Sequence, residues 1–166
     1  MITLRHLKLE DKPFMKEWML DPDVTQFFRF STYDEDRVTQ FILESQQNEQ
    51  SRHYAIVDEN DEYLGTISLK HIDFINLHAE YAIVLRKKVW GKGIGSLATS
   101  LILEQAQLLK LHKVYLNVLS SNTVAIRLYR RVGFVESGIY KDHLYRDHEF
   151  HDLLYFEKIL GENDEL

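Results

Sequence analysis

The sequence predicts an α/β (α+β) fold in which a mixed, mostly antiparallel central sheet is flanked by helices. Residues 2–9 alternate apolar and polar side chains, which is typical of a half-buried strand, and three further strand-like runs separated by turn signals follow between residues 53 and 85. Other segments place apolar residues three and four positions apart, which is typical of amphipathic helices. The 166 residues are 45% hydrophobic and contain no Pro/Gly/Ser-rich linker, which predicts one domain over residues 1–166.

The first half of the chain is predicted to form a strand, two helices and a three-stranded meander. Glu10 and Asp11 suit the first turn of a helix, because acidic side chains interact favourably with its N-terminus, and Pro22 suits its end. Asn60 and Asn76 are turn signals that favour antiparallel pairing of the strands around them. The predicted bounds are 2–9 for the first strand, 10–20 and 34–47 for the helices, and 53–58, 63–72 and 79–85 for the meander.

The second half is predicted to alternate helices with strands. Gly133 suits the end of a helix, since glycine readily adopts the left-handed conformation that closes helices. The predicted elements are a helix over 94–110, a buried strand over 113–119, a helix over 123–132, and strands over 133–145 and 149–160. The acidic segment 161–166 is predicted to be a frayed tail.

Composition excludes several classes of function. The sequence has no cysteine, which removes disulfides, cysteine-ligated metals and thiol nucleophiles. The 26 acidic and 20 basic residues give a net charge of −6, which opposes nucleic-acid binding and mildly favours cationic partners. The N-terminus lacks a signal-peptide pattern and no apolar run reaches membrane-spanning length, so we expect a cytoplasmic protein with no membrane association. His143, His148 and His151 match no metal-ligand spacing, and no metal is predicted.

Three glycines within five positions, Gly91, Gly93 and Gly95, precede the helix at 94–110. A strand-to-helix turn exposes unpaired N–H groups that bind phosphate, and glycine lets the anion approach closely. Residues 93–98 fit a dinucleotide-binding pattern, but no acidic residue for the ribose ends the next strand. A Walker-type loop is excluded because Gly93 follows Lys92 where Ser or Thr is required. A tight corner without a ligand is a further alternative.

The turn and a second motif resemble the GNAT superfamily of N-acetyltransferases. The family loop, [QR]-x-x-G-x-[GA], is similar to residues 90–95, although Trp90 departs from Gln or Arg. Residues 115–138, YLNVLSSNTVAIRLYRRVGFVESG, resemble the second signature of the family, with Asn122, Tyr129 and Gly133 in register. The resemblance spans residues 53–156, whereas the first fifty residues match only in element order. Within the family, the sequence resembles the subgroup of ribosomal-protein N-terminal, polyamine and amino-sugar acetyltransferases.

The resemblance implies the GNAT fold and acetyl-CoA as the cofactor. In the family, pantetheine pairs with the strand before the loop, which implies Ile83, Val84 and Leu85 here, with the Leu85 N–H directed at the thioester oxygen. Tyr129 is then the acid that protonates the departing thiolate, since a phenol with a pKa of about 10 is protonated at neutral pH. The other residues implied in cofactor binding are Trp90, Gly91, Lys92, Gly93, Ile94, Gly95, Ser96, Asn122 and Ala125.

Alternatives remain for several of these residues. Tyr129 also suits a core position, and Asn122 also suits a helix N-cap. Glu80 is a candidate acceptor for the proton of the amine, directly or through water, and is equally compatible with a solvated carboxylate. Lys87 and Lys88 are candidates for contacts with the CoA phosphates, or are simply solvated.

The acceptor is predicted to be a small-molecule amine or a peptide N-terminus. The candidates are a protein N-terminus, a polyamine, and an amino sugar or its nucleotide. Phe28 and Arg29 are predicted, with Glu80, to bind this substrate, because residues 21–30 combine acids, aromatic residues and an arginine between early helices. A non-catalytic acyl-CoA-binding module is the alternative function, against which Tyr129 argues. A homodimer is compatible with these features.

Overall fold

The computed structural model describes residues 1–28 and 32–161, and its centre is a seven-stranded sheet in the order β1-β2-β3-β4-β5-β7-β6. The strands are β1 Thr3–His6, β2 Arg52–Val57, β3 Tyr63–Asp73, β4 His78–Leu85, β5 Lys113–Leu119, β6 Val135–Arg146 and β7 Glu149–Ile159. The helices are α1 Lys12–Met19, α2 Pro22–Thr25, α3 Glu35–Ser45, α4 Ile94–Leu108 and α5 Thr123–Arg131. The predicted mixed, mostly antiparallel sheet flanked by helices is confirmed.

Strand pairing divides the sheet into two antiparallel parts. Strands β1 to β4 form the predicted meander, each pairing antiparallel with the next. Strand β7 pairs antiparallel with both β5 and β6. The two parts meet at β4 and β5, which are parallel. Parallel neighbours need a crossover connection, and α4 provides it.

The structure differs from the sequence prediction around α1 and α2. A 3-10 turn at Leu9–Asp11 precedes α1, and Asp11 is buried because its carboxylate accepts two hydrogen bonds from Arg5, at 2.8 and 2.9 Å. Helix α1 ends at Met19, close to the end expected near Pro22, and Pro22 itself begins the short helix α2. Proline is favoured in the first helical turn because no intrahelical acceptor is lost there, and the Asp21 side chain caps this turn by accepting the Asp23 N–H at 3.0 Å.

The sheet buries a separate cluster on each face. Helices α4 and α5 cover one face, where Ile67, Tyr81, Ile102, Val114 and Phe156 belong to the larger cluster. Helices α1 and α3 cover the other face at the β1–β3 end. Its buried members are Leu7, Met15, Val38, Ile42, Ala55, Val57 and Tyr63. On this second face a cavity lies beside α1 and α3, over residues of β3 and β4.

Gly65 allows β3 and β4 to approach closely, and we expect Gly65→Ala to destabilise the protein by about 1–3 kcal/mol, the usual cost of overpacking. A Cβ atom at this position would lie 2.2 Å from the carbonyl oxygen of Val84, which belongs to the backbone and cannot rotate away. Chemical denaturation measures the change. Gly138→Ala is the control, because an added Cβ there meets no atom within 4 Å, and its stability should stay within about 0.5 kcal/mol of the parent. Equal stability of the two variants would contradict this account.

Candidate active site

A gap opens between β4 and β5. The two strands pair only at His78, Ala79 and Glu80 of β4, and beyond these residues β4 has no partner on that side in the described part of the chain. The Arg86 N–H donates to the Leu64 carbonyl of β3 at 2.9 Å. Backbone N–H and C=O groups alternate in direction along an antiparallel strand. Those of Val84 are therefore also directed at β3, whereas those of Ile83 and Leu85 are directed into the gap.

Trp90 connects the end of β4 to the loop that follows. Its indole N–H donates to the Leu85 carbonyl at 3.1 Å. This hydrogen bond fixes the orientation of Leu85, whose N–H faces the gap. Trp90 therefore has a structural function at the position where the family motif has Gln or Arg, which the sequence did not indicate.

The three glycines of the loop have different environments. Gly91 and Gly93 adopt φ angles of 72° and 77°, and a Cβ atom on either would meet no atom within 4 Å. These two glycines line open space, as an anion-binding turn requires. Gly95 is buried instead, and a Cβ there would lie 3.1 Å from a methyl carbon of Leu128. Gly95 is thus a packing residue between α4 and α5.

The start of α4 has unsatisfied polar groups. No side chain caps this helix at Gly93, and no acidic residue occupies its first turn. The first N–H groups of a helix carry partial positive charge and lack intrahelical acceptors. In addition, the Ser96 hydroxyl oxygen is buried and has no hydrogen-bond partner among the described residues. Together with the open space at Gly91 and Gly93, these donors fit a phosphate or pyrophosphate group.

The lysines near the loop fall into two groups. Lys87 forms an ion pair with Asp23 of α2, and Lys88 forms one with Glu62. The sequence had suggested that these two lysines contact the CoA phosphates, whereas in the structure they pair with carboxylates. Lys92, in the loop itself, has no ion-pair partner within residues 1–28 and 32–161, and its charge is available to a ligand.

Arg86 joins the end of β4 to α1 and to the turn before β3. Its guanidinium donates to both carboxylate oxygens of Glu17, at 2.6 and 2.9 Å, and to Glu62 and the Tyr63 carbonyl, both at 2.9 Å. It also lies 4.7 Å from the centre of the Phe14 ring, a favourable cation–π distance. We call Arg86, Glu17 and Glu62 the arginine clamp. It holds α1 against the strand that carries the gap.

Asn122 and Ala125 form the N-cap of α5. The Asn122 side-chain oxygen accepts the Ala125 N–H at 3.2 Å. This is the capping arrangement that the sequence left as the alternative to a cofactor contact, and such caps typically contribute about 1 kcal/mol. Both residues remain half-buried at the end of β5 that faces the gap.

Tyr129 projects from α5 to the place where β4 and β5 separate. Its ring packs against Tyr81 of β4, with centres 5.8 Å apart, and against Phe134 and Phe156. Burial raises the pKa of Tyr129 to about 12. The hydroxyl makes no hydrogen bond to any described residue and is not among the fully enclosed polar atoms. It is therefore a protonated donor that is free for a ligand.

Tyr81 is the neighbouring tyrosine, and its hydroxyl is already bonded. It lies 2.7 Å from the Thr99 hydroxyl of α4. Complete burial raises the pKa of Tyr81 well above its usual 10. Of the two tyrosine hydroxyls at the gap, that of Tyr129 is the one without a hydrogen-bond partner among the described residues.

Glu80 lies at the last position where β4 and β5 pair. Its carboxylate accepts a hydrogen bond from Asn117 of β5 at 3.0 Å. The side chains of Lys70 and His71 lie 3.7 and 3.5 Å from it. Glu80 is therefore held in a polar cluster at the mouth of the gap, and its side chain is only 15% exposed.

A cavity of about 470 Å³ lies on the face of the sheet that α1 and α3 partly cover. Its walls come from α1, α3 and three neighbouring strands, and its lining residues are Met15, Trp18, Met19, Thr32, Asp34, Arg37, Val38, Phe41, His53, Thr66, Ser68, Lys70 and Val84. Phe28 packs edge-on behind Trp18, with ring centres 6.0 Å apart, and does not line the cavity. Arg29 lies outside the described residues.

Sequence reasoning did not identify the lining residues of β2 and β3. His53 lies opposite Ser68, and its ring nitrogen Nδ1 is 2.6 Å from the Ser68 hydroxyl. The polar residues Thr66, Ser68 and Lys70 occupy every second position of β3, so they share one face of the sheet. This period of two was the available signal for a polar binding face.

Comparison of the sequence and the fold with known proteins agrees with an acetyltransferase fold. The family model for the acetyltransferase (GNAT) domain matches residues 1–135. An uncharacterised N-acetyltransferase of Bacillus licheniformis is 28% identical over 97% of this chain and 94% of its own length. The spermidine N(1)-acetyltransferase of Vibrio cholerae is 27% identical over 82% of this chain and 80% of its own length. A crystal structure of the Vibrio cholerae spermidine N-acetyltransferase, in complex with CoA and spermine, superposes with a TM-score of 0.88, at 24% identity and 95% coverage of both chains.

The fold and the match to the family model define the class of this protein. The chain belongs to the GNAT acetyltransferase family. It is an acetyl-CoA-dependent N-acetyltransferase. No described helix is long and apolar enough to cross a membrane, and no three described His, Asp or Glu side chains are grouped as metal ligands.

Proposed function

We propose that this enzyme transfers acetyl from acetyl-CoA directly to a primary amine within a ternary complex, without a covalent enzyme intermediate. The observation that carries the proposal is the gap itself, which leaves the N–H groups of Ile83 and Leu85 without partners on the described β5 and lies beside Tyr129, whose ring packs on Tyr81 of β4. Direct transfer is also supported by the absence of cysteine from the sequence, since no thiol is available to accept the acetyl group.

Each step of the transfer has a residue in the gap. When bound, acetyl-CoA supplies the thioester that makes the acetyl group reactive. The Leu85 N–H donates to the carbonyl oxygen as negative charge develops there, which is the electrostatic stabilisation that acyl transfer requires. The Tyr129 hydroxyl donates its proton to the sulfur that leaves. Gly91, Gly93 and the start of α4 hold the phosphates, with Lys92 as a further cation.

Glu80 is proposed to receive the proton of the acceptor amine through water. A free alkylamine has a pKa of about 10.4 and is mostly protonated at neutral pH, so it must lose a proton before it attacks. Glu80 is the carboxylate at the mouth of the gap, and Asn117 orients it. The acceptor would enter from the cavity beside Val84. The candidate acceptors remain an amino sugar or its nucleotide, a polyamine and a protein N-terminus.

The assignment of the loop to the phosphates predicts that Gly93→Ala weakens CoA binding by about ten- to a hundredfold, the value of one hydrogen bond to a charged group. A methyl group at this position meets no protein atom but occupies the space at the turn. Titration calorimetry with CoA measures the effect. Gly133→Ala is the control for backbone strain, because Gly133 also has positive φ, 98°, and lies outside the loop, where the added methyl would displace only the flexible end of the Lys158 side chain. Equal CoA affinity of the two variants would contradict the assignment.

Catalysis is tested with a panel of amines that covers the three candidate classes. The release of CoA is followed with a thiol reagent, and the products are identified by mass spectrometry. Acetylation of at least one amine, dependent on acetyl-CoA, is expected. Tight CoA binding without turnover of any amine would indicate the non-catalytic acyl-CoA-binding module instead.

A further inference from the structure

The charges that line the cavity identify the chemistry of the acceptor. Six of the thirteen lining residues are apolar or aromatic, which suits the uncharged body of a substrate. Among the charged lining residues, Asp34 is the one carboxylate, against the cations of Arg37 and Lys70. The segment 29–31, which precedes Thr32 in the chain, consists of Arg, Phe and Ser and contains no acidic residue.

The carboxylate of Asp34 is already engaged in the structure of α3. One of its oxygens accepts the backbone N–H of Arg37 at 3.0 Å and caps the helix. Lys70 lies near Glu80, at 3.7 Å. By contrast, the guanidinium of Arg37 has neither an ion pair nor a hydrogen bond to any residue in the described ranges. Arg37 is thus the uncompensated charge of the cavity.

The remaining polar groups of the cavity are neutral. Burial lowers the pKa of His53 to about 4, with a smaller contribution from Lys70, so this imidazole is uncharged at neutral pH. His53 and Ser68 bond to each other, and Thr66 bonds to Tyr63. These groups can exchange hydrogen bonds with hydroxyl or amide groups of a substrate. They provide no negative charge for a second ammonium group.

A polyamine matches this cavity poorly. Each of its amines has a pKa of about 10, so it carries two or more positive charges at neutral pH, and at most one is lost for acetylation. The other ammonium groups would lie near Arg37, an exposed residue whose guanidinium has no ion-pair partner among the described residues, and like charges repel. An acceptor with a carboxylate or phosphate would instead form a charge-assisted, bidentate contact with Arg37.

We infer that the acceptor is an amine that carries an anionic group, and that Arg37 at the first turn of α3 binds this group while the amine lies beside Val84 and Glu80. The inference rests on the proposed acetyl transfer and narrows its substrate. Val84, Ser68 and His53 belong to three neighbouring strands, so the cavity floor spans two strand spacings, roughly 10 Å. The amine and the anion are therefore separated by the body of a sugar or a dipeptide.

Matched pairs of acceptors test this inference. Glucosamine 1-phosphate is compared with glucosamine, and a dipeptide is compared with its C-terminal amide, so each pair differs only in the anion. Spermidine is the polycationic probe. For the parent enzyme, we expect kcat/KM to be about ten- to a hundredfold higher for the anionic member of at least one pair, in line with a hydrogen bond to a charged group. The pair with the larger ratio distinguishes phosphate from carboxylate.

Arg37→Gln is the decisive variant. It should remove most of that preference, lowering kcat/KM for the anionic member about ten- to a hundredfold and for the neutral member less than about twofold. CoA affinity, measured by calorimetry, should stay unchanged and shows that the variant is folded. Arg131→Gln is the control, since Arg131 is an exposed arginine on α5, away from the cavity. Arg37→Glu should raise the kcat/KM for spermidine.

Three outcomes would overturn the inference while leaving the proposed function intact. These are preference of the parent for spermidine over every anionic acceptor, parent kcat/KM values that are equal within both pairs, and an equal loss for both members of a pair in Arg37→Gln. Release of CoA with none of the amines would instead overturn the proposed function. The two failures are therefore distinguishable.

Discussion

Tyr129→Phe is expected to lower kcat by about ten- to a thousandfold and to leave the affinity for acetyl-CoA nearly unchanged. General acids typically contribute about 10²–10⁴ in rate, and partial replacement by water reduces the loss. The substitution keeps the ring, so the contacts with Tyr81 and Phe156 remain. Because the hydroxyl has no partner in the described chain, its removal breaks no hydrogen bond there. The change in rate is thus separated from a change in stability.

Tyr81→Phe is the matched control for this experiment. It also removes one buried phenol oxygen from the same aromatic cluster, but its hydroxyl is bonded to Thr99. It should lose about 1 kcal/mol of stability, the usual value of such a hydrogen bond, with little change in kcat. Single-turnover rates are needed because product release can hide a slower chemical step. A Tyr129→Phe variant with a parental single-turnover rate would show that Tyr129 is a packing residue.

Arg86→Met is expected to lower the free energy of unfolding by about 3 kcal/mol, the lower end of the cost of breaking a buried ion pair. The Arg86 side chain is 7% exposed, whereas those of Glu17 and Glu62 are 52% and 35% exposed, so the two acids are partly rehydrated when the arginine is removed. Urea denaturation at neutral pH measures the loss. The variant should also raise the KM of both substrates, since the arginine clamp fixes α1 and the end of β4 together.

The pH dependence of the stability of Arg86→Met tests whether the ion pairs with Glu17 and Glu62 cause the loss. The Arg86 guanidinium lowers the pKa of Glu17, and Lys88 and Arg86 lower that of Glu62. A carboxyl group whose pKa is lower in the folded state stabilises the protein above its unfolded pKa, about 4.5, and this contribution is lost as the pH falls. The stability difference between parent and Arg86→Met should therefore shrink below about pH 4.5.

Lys87→Met is the control for the arginine clamp. Its ion pair with Asp23 joins two side chains that are more than half exposed, and such pairs contribute about 0–1 kcal/mol. Similar losses for Lys87→Met and Arg86→Met, or a difference from the parent that does not change with pH, would contradict the assigned role of Arg86.

The order of helices and strands was predictable because it depends on local patterns. Strand-like runs between turn signals located the meander, and helical spacing and the glycines near helix ends located α3 to α5, all within a few residues. Helix α1 ends at Met19, close to the predicted end before Pro22, whereas the short helix that Pro22 begins was not predicted, since proline also suits the first turn of a helix. The glycine turn was predictable as a feature of the chain, but the packing role of Gly95 was not, since Leu128 is 33 positions away in the sequence.

Contacts between distant segments were beyond sequence reasoning. The partner of Arg86 on α1 lies 69 positions away, and nothing in the run of three basic residues indicates which of them is buried. The cavity could not be predicted for the same reason, because its lining combines α1 and α3 with His53 of β2, alternate residues of β3 and Val84 of β4. Predicting Phe28 as a substrate contact followed from composition alone, whereas in the structure Phe28 packs edge-on against Trp18 and is not among the residues that line the cavity.

With acetyl-CoA bound as proposed, the gap between β4 and β5 would link the amount of folded enzyme to the supply of its acetyl donor. The N–H groups of Ile83 and Leu85 face a common space only in the folded chain, so a donor bound to them would bind the folded state and not the unfolded one. Such a ligand stabilises a protein by about 2.7 kcal/mol at a hundred times its Kd. Typical domains have about 5–15 kcal/mol of stability in total. A cell depleted of acetyl-CoA is therefore expected to lose this enzyme to proteolysis faster, as well as to run it more slowly.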